Sequence, residues 1–375
     1  MANQTLPFES ASRPDLKRRT VLWWGRGNRD YSRDRILRQA FVSLGWNIVD
    51  FHPLISRCGD VEAVLRRMPV PDLVWVPCFR QRDVAAAQRW ARRRQVPLVF
   101  DPLISAYDKQ VFEHGKFPID SAAARRLLKW ESRLLTDCSF VIADTVCHAE
   151  FFQQTLSAPA GHVRVIPVGA EEEIFVPQPV FRSGDERLHV MFYGSFIGLQ
   201  GPQVIAEAAT KMREVRWTFI GTGPLLEDCR KILGNCDHVT LTGRVPYETL
   251  PAQIGSADVL MGVFGESEKA GRVIPNKVYQ SLACGRPVVT QTSAAYPEAL
   301  RREEPVSSGL EMIPSGDPDA LVAAIRRLDE RRSQLPEMSR AARRSYDRYF
   351  RSETLTEALA AVLNDACGAS NCRAA

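Results

Sequence analysis

Lys269, Arg272 and Lys277 lie close together in the stretch EKAGRVIPNKVYQSLACGRPVVT, residues 268–290, and the last of them follows Pro275 by two positions. A proline suits the first turn of a helix because the N–H it lacks would be unpaired there. The pattern therefore predicts a helix with Pro275 in its first turn, beginning near Asn276 and closed by Gly285. The free N–H groups of Asn276, Lys277 and Val278 would point out of the positive end of its dipole. With three cations around them, these groups have the chemistry of an anion site, and a diphosphate fits it. A solvated basic loop is the plainer reading of the same residues.

Further chemistry is expected where short apolar runs end. GSFIGLQG (194–201), GTGP (221–224) and GRVPYE (243–248) each put a glycine directly after such a run, so the backbone can come close to a phosphate or a sugar. Gly194, Ser195, Gly221, Thr222, Gly223, Arg244 and Val245 are the candidates there. In the first half the corresponding places carry Gly25 with Gly27, Asn28, Arg29, Asp30 and Tyr31; Asp101 with Ser105, Tyr107 and Asp108; and Asp144 with Thr145 and His148. Asp101 can orient or activate a hydroxyl, or hold a loop or helix start. Asp144 and Thr145 can serve a ligand or cap the next helix, and His148 reads equally as a structural residue one turn into it.

Such loops need strands and helices to position them. RRTVLWWG, NIVDFHP, DLVWVP, VPLVFD, FVIAD and VRVIPV read as buried strands, separated by amphipathic stretches such as DRILRQAFVSLG and VEAVLRRM. Near-continuous apolar strands alternating with helices predict a parallel sheet covered on both faces. VPQPVFRSGDER (176–187) interrupts the rhythm as a linker, and the alternation restarts at LHVMFYG and runs to RPVVTQ. The expected fold is α/β, with two doubly wound Rossmann-like domains facing a cleft, and ligands beyond the carboxyl ends of the strands.

Composition sets the outer limits. The chain has 375 residues, 45% apolar and 25% charged, which excludes a small module and a disordered chain. No run is long and apolar enough to span a bilayer, and the first twenty residues lack a secretory apolar core. Nine cysteines without a CxxC pair suit reduced thiols and a cytoplasmic location, and give no zinc site. Up to Val168 there are 25 Lys and Arg against 17 Asp and Glu, and 24 against 27 after it. The basic half carries two arginine-bearing helical stretches, 80–95 and 122–135, with Trp90 and Trp130. They read as a solvated face, or as a reversible contact with an anionic membrane, the protein then lying at its cytoplasmic side. No nucleic-acid module is present.

The 268–290 stretch, MFYGSFIGLQG and VRVIPVGAEEEIF (163–175) together resemble family 4 glycosyltransferases, as do WWGRGNRDYSRDRILRQAFVSLGW, LVFDPLISAYD and VIADTVCHAEFF in the first half. The resemblance covers nearly the whole chain. It implies the two-Rossmann GT-B fold: an acceptor-side domain over residues 1–178, a donor-binding domain over 179–351, and a segment 352–375 whose helix, expected over 352–366, crosses back to the first domain. It also implies a retaining transfer from a nucleoside diphosphate sugar to a glycan, lipid-linked or small-molecule acceptor, with no cofactor and no metal. Asp101, Arg272 and Lys277 are then the expected catalytic residues. Gly194, Ser195, Gly221, Thr222, Gly223, Arg244, Val245, Lys269, Pro275, Asn276, Val278 and Gln280 are expected to bind the donor.

This chain departs from the family at two places. The family commonly has two glutamates eight residues apart, where Arg272 and Gln280 stand. Its first donor loop often carries Arg and Lys, where this chain has Ser195 and Gln200. Arg272, Lys277 and Lys269 are expected to replace the lost charge, and Gln280 to take the ribose, with Gln280→Glu tolerated. Loss of both glutamates also admits a non-catalytic subunit of the same fold that binds a nucleotide sugar for assembly. A sugar-nucleotide epimerase shares the two-domain architecture.

Overall fold

The computed structural model describes residues 18–27, 31–179 and 187–371. Asn28, Arg29 and Asp30 lie outside the described residues, as does 180–186 within the expected linker. The first sheet contains β1 (Thr20–Trp24), β2 (Asn47–Phe51), β3 (Leu73–Val76), β4 (Leu98–Phe100), β5 (Phe140–Ala143) and β6 (Val163–Val165), in the order β2-β1-β3-β4-β5-β6. The second contains β7 (His189–Tyr193), β8 (Arg216–Ile220), β9 (Val239–Gly243), β10 (Val259–Met261), β11 (Val288–Gln291) and β12 (Leu310–Ile313), in the order β12-β11-β10-β7-β8-β9. Every pairing is parallel.

The central strands are apolar on both faces because each face is covered. Val21, Trp23 and Trp75 pack to one side with the helix Ser32–Ser43, while Leu22, Trp24 and Val74 pack to the other with the helix Gln81–Arg93. β12 was not expected. Its sequence LEMI follows Gly309, whose positive φ of 70° and tight packing on Ala342 leave no room for a side chain, and Glu311 within it pairs with Arg327. An edge strand with a charged residue and only four positions gives little periodicity to read.

The last helix, Ser352–Asn371, runs beyond the expected 366 and packs on the first sheet. Leu355, Leu359, Val362 and Leu363 join Val21, Trp23 and Phe41 in one core. Its start is fixed to the chain between the sheets: Ser352 N and the Tyr346 hydroxyl both donate to Glu172, at 2.7 and 2.9 Å. Near the linker, the buried Arg286 donates to the carbonyls of Gln178 and Gly255 at 3.1 and 2.7 Å.

The two basic helices form at Gln81–Arg93 and Ala122–Thr136. Trp90, expected to help face a membrane, is instead fully buried in the first-domain core with Arg94 over its ring. Arg89 and Arg93 are spent on Asp60, at 2.7 and 3.3 Å. The apolar side of this helix, with Val84, Ala87, Trp90 and Ala91, faces the sheet.

Candidate active site

In each sheet the strand order reverses beside the first strand, so the crevices beyond the carboxyl ends of β1 and β7 are the places where a ligand sits. Gly25 follows β1 and Gly194 follows β7, with positive φ of 136° and 145°. Gly221 and Gly223 cannot be replaced without collision, and a side chain on Gly194 would crowd Lys277. A Cβ on Gly221 would fall 1.9 Å from Gly194 O, one on Gly223 would meet the Phe196 backbone at 2.6 Å, and one on Gly194 would stand 3.0 Å from Lys277 Nζ. The glycines bring the loops after β7 and β8 into contact, and Gly194 of the first lies against Lys277. Arg244 Nε donates to Thr222 Oγ1 at 3.0 Å, joining the loops after β8 and β9 at the exposed rim, next to Val245. Ser195 follows Gly194 and is exposed.

Lys277 opens the helix Asn276–Ala283. It is 5% exposed, its Nζ has no hydrogen-bond partner, and it lies 3.9 Å from the centre of the Phe192 ring. Burial holds its ammonium well below the ordinary lysine value. Gln200 Oε1, also buried and unpartnered, lies on the same side of Gly194. Unpaired buried polar atoms are costly, and here a lysine, a glycine loop and a helix N-terminus converge. Pro275 is the N-cap rather than a residue of the first turn, and Val278 N is already bonded to Pro275 O at 2.9 Å. The free N–H groups are thus those of Asn276 and Lys277, and Val278 is corrected out of that set.

The other two cations are spent across the cleft. Lys269, 1% exposed, pairs with Glu113 of the first domain. Arg272 pairs with the buried Asp108 at 2.7 Å and with Glu268 at 3.1 Å, and lies over the Phe151 ring. Its carbonyl accepts the Thr145 hydroxyl at 2.6 Å. As built, neither cation replaces the missing loop charge; both hold the domains together.

Asp108 continues this network. Its Oδ2 stands 3.6 Å from His148 Nε2, and His148 Nδ1 is bonded to Asp144. Burial works against charge on the imidazole, but Asp144 and Asp108 outweigh it and push His148 up to about 9. Thr145 caps the helix Val146–Gln154 by accepting from His148 N at 3.1 Å, so the capping reading holds for Thr145, while Asp144 serves the imidazole. Asp101 pairs with the fully buried Arg33 at 2.9 Å; Arg33 also donates to Ile166 O and Pro167 O.

Two first-domain candidates turn away from ligand work. The Ser105 hydroxyl donates to buried Glu131 at 2.7 Å and accepts from Asp108 N. Tyr107 is 4% exposed and packs edge-on against Phe112 in the core. Both fall in the loop after β4, where sequence shows which residues are near the strand end but not which way they face. Tyr31 stacks edge-on with Phe79, and Gly27 lies against Asp34, 2.8 Å from where a Cβ would stand.

Gln280 is engaged on both sides. Its Oε1 accepts from the Tyr193 hydroxyl at 3.2 Å and its Nε2 donates to the Tyr247 hydroxyl at 3.1 Å. Tyr247 in turn donates to Glu171, which pairs with Arg35. An amide fits between these tyrosines because Tyr247, having given its proton to Glu171, needs a donor on its other side.

Sequence reading did not single out Arg33, Asp34, Glu171, Tyr193 or Tyr247. Asp34 is 2% exposed, accepts from the Cys78 thiol at 3.2 Å, and is pushed up to about 6 by burial. Arg33, Asp34 and Arg35 sit in a charged run that reads as a solvated helix start. Only the packing of that helix under Ile166 and Asp101 shows otherwise.

Two parallel sheets with their strand-end loops across an interdomain crevice define a GT-B architecture. Models of two glycosyltransferase domains match the chain: "Glycosyl transferase 4-like domain" over residues 19–169 and "Glycosyl transferases group 1" over 187–331. The chain belongs to the family 4 glycosyltransferases. It is 27% identical to the GDP-mannose-dependent alpha-(1-6)-phosphatidylinositol monomannoside mannosyltransferase of Mycobacterium tuberculosis over 225 residues, 55% of this chain and 56% of that protein. It is 29% identical to the D-inositol 3-phosphate glycosyltransferase of Arthrobacter sp. over 254 residues, 63% of this chain and 58% of the relative. The match thus spans a little over half the length of these relatives. Anabaena HepE in complex with UDP superposes with a TM-score of 0.68 over 92% of this chain and 99% of that one, and sucrose-phosphate synthase from Thermosynechococcus elongatus with 0.73 over 94% and 100%. Both are 15% identical, and they share the fold.

Proposed function

We propose that this protein is a retaining glycosyltransferase that moves a sugar from a nucleoside diphosphate sugar to a hydroxyl of a glycan, lipid-linked or small-molecule acceptor. Family membership supports the class, and one observation carries the site: Lys277 Nζ, buried and unpartnered beside Gly194 at the start of the helix Asn276–Ala283. A diphosphate there would accept from the ammonium and from the N–H groups of Asn276 and Lys277. The second negative charge that develops as the sugar leaves is stabilised by the same fixed donors. Gly221, Gly223, Thr222 and Arg244 border the space for the rest of the donor.

In this mechanism no metal or cofactor is needed, because the lysine and the helix start supply the positive potential. The leaving phosphate takes the acceptor proton. Asp101 and His148 orient the acceptor-side loops through Arg33 and Asp108, and the acceptor enters past Gly27 and Tyr31. The protein acts in the cytoplasm, where its thiols stay reduced. Among the described residues no helix is long and apolar enough to cross a membrane.

The test is nucleotide release. Purified protein is incubated with a panel of nucleoside diphosphate sugars, with and without candidate acceptors in the presence of a chelator, and free nucleoside diphosphate is measured. Release that depends on acceptor and survives chelation supports the reading. Tight nucleotide-sugar binding with no release under any acceptor would favour the assembly-subunit alternative, and epimerised donor without release would favour the epimerase.

A further inference from the structure

An aromatic side chain stands in the open on the first-domain side of the cleft. Phe79 follows the carboxyl end of β3, is 40% exposed and holds a positive φ of 63°. Leu103, in the corresponding place after β4, has a positive φ of 54°. Such a backbone is costly for a bulky residue. Arg67, Gln95 and Ser157 share it, but they lie just past the ends of helices, where a left-handed residue is ordinary.

Phe79 and Leu103 differ in what their side chains gain. Leu103 is 6% exposed and belongs to the packed cluster that contains Ile274 and Tyr296 of the second domain, so burial offsets its backbone. Phe79 keeps its ring largely in solvent, with an edge contact to Tyr31 at 5.1 Å between ring centres. The pose is fixed from below. Phe79 N donates to Pro102 O at 3.4 Å, and Gln81 Nε2 donates to Ile104 O at 2.7 Å, which ties the loop after β3 to the loop after β4. An exposed ring on a strained, clamped backbone has the form of a site prepared for a ligand.

The surroundings show which ligand fits. Cys78 and Tyr31 belong to the same interdomain cluster as Leu103, so the ring lies at the cleft, beside the acceptor entrance at Gly27 and Tyr31. Arg80, the next residue, lays its aliphatic part on Gly25, where a Cβ would stand 3.0 Å from it. Its side chain is 33% exposed, and its ion-pair partner Asp83 stands 3.9 Å away, beyond hydrogen-bond reach. The guanidinium therefore has N–H groups left for an uncharged oxygen. A flat aromatic face beside a guanidinium and a phenol complements a pyranose ring, which is C–H on its face and hydroxyl at its edge. An open-chain polyol has no such face, and a bare phosphate gains nothing from Phe79.

We propose that Phe79, with Tyr31 and Arg80, forms a subsite for a pyranose ring of the acceptor, so that the acceptor is a saccharide. Its being an acceptor rests on the transferase reading above; the binding of a sugar ring at Phe79 does not.

The test is saturation-transfer NMR of the full chain with the methyl pyranosides of glucose, galactose and mannose, and with glycerol as the open-chain control, while UDP and GDP affinity is measured on the same samples. Saturation of the wild-type aromatic protons is expected to reach the ring C–H protons of at least one pyranoside and to leave glycerol untouched. Phe79→Ala should reduce that transfer about fivefold and Phe79→Trp should preserve it, with nucleotide affinity unchanged in both. Phe79→Gly, which suits the positive φ, should lose the transfer and yet melt no lower than wild type. Transfer to none of the pyranosides, or transfer indifferent to Phe79→Ala, overturns the proposal. So does a Phe79→Gly variant that melts well below wild type, which would make the ring a structural contact of Tyr31. Nucleotide binding without pyranoside transfer removes the subsite and leaves the transferase reading. Pyranoside transfer in a protein without nucleotide affinity does the reverse.

Discussion

The two sides of the cleft handle charge in opposite ways. On the second-domain side, the glycine loop after β7 borders a buried lysine that has no partner. On the first-domain side nearly every charge is answered: Asp101 by Arg33, Asp108 by Arg272, Asp144 by His148, Glu113 by Lys269. A partnerless buried cation is paid for by binding an anion, whereas closed pairs hold a geometry. The comparison assigns ligand charge to Lys277 and domain positioning to Arg272 and Lys269, although all three stand in one loop-helix segment.

The comparison breaks most visibly at Arg272. Arg272→Ala leaves Asp108 buried without its guanidinium, a loss on the order of 3 kcal/mol, and should lower the melting temperature by several degrees. Nucleoside diphosphate affinity should fall far less than stability. A variant that melts normally but loses the nucleotide would place Arg272 on the phosphate instead.

Gln280→Glu tests the same boundary with a smaller effect. The family pattern leads one to expect a tolerated glutamate, but the hydrogen bonds reverse that expectation. Tyr247 has a single proton and can serve only one of two carboxylates, Glu171 or Glu at 280, so the variant should lose about 2 kcal/mol. Calorimetric unfolding of Gln280→Glu beside Gln280→Ala checks this; a glutamate variant as stable as wild type would show that Gln280 is free to meet a ribose.

The smallest effect is a pH dependence. The folded value of His148 is raised, from 6.5 to about 9, so its contribution is complete below pH 6.5 and is lost as pH rises through about 9. Stability should fall by about 1 kcal/mol between pH 7 and pH 8 from this group. His148→Gln should flatten that slope when unfolding is followed in urea across the range.

Sequence showed the architecture because buried parallel strands are nearly continuous apolar runs, as in VLWW and FVIA, and because Pro275 and Gly285 bracket the helix between them. It missed β12, where four residues with a charge give no rhythm. Lys277 was legible from its place after Pro275. Its difference from Lys269 and Arg272 was not, because the partners that consume those two, Glu113 and Asp108, lie more than 150 positions away in the chain. The roles of Ser105 and Tyr107 were hidden for a related reason: Glu131, which organises their loop, reads as one more charge on a helix.

The central claim is that Lys277 receives the donor's diphosphate. Isothermal titration of nucleoside diphosphates at pH 8 tests it directly, because the ligand is then fully ionised and Lys277 Nζ is the buried, unpartnered group that would meet it. Wild type should bind, and Lys277→Met should weaken binding at least tenfold and leave the fold as stable as before. Binding of equal strength in Lys277→Met would contradict the account.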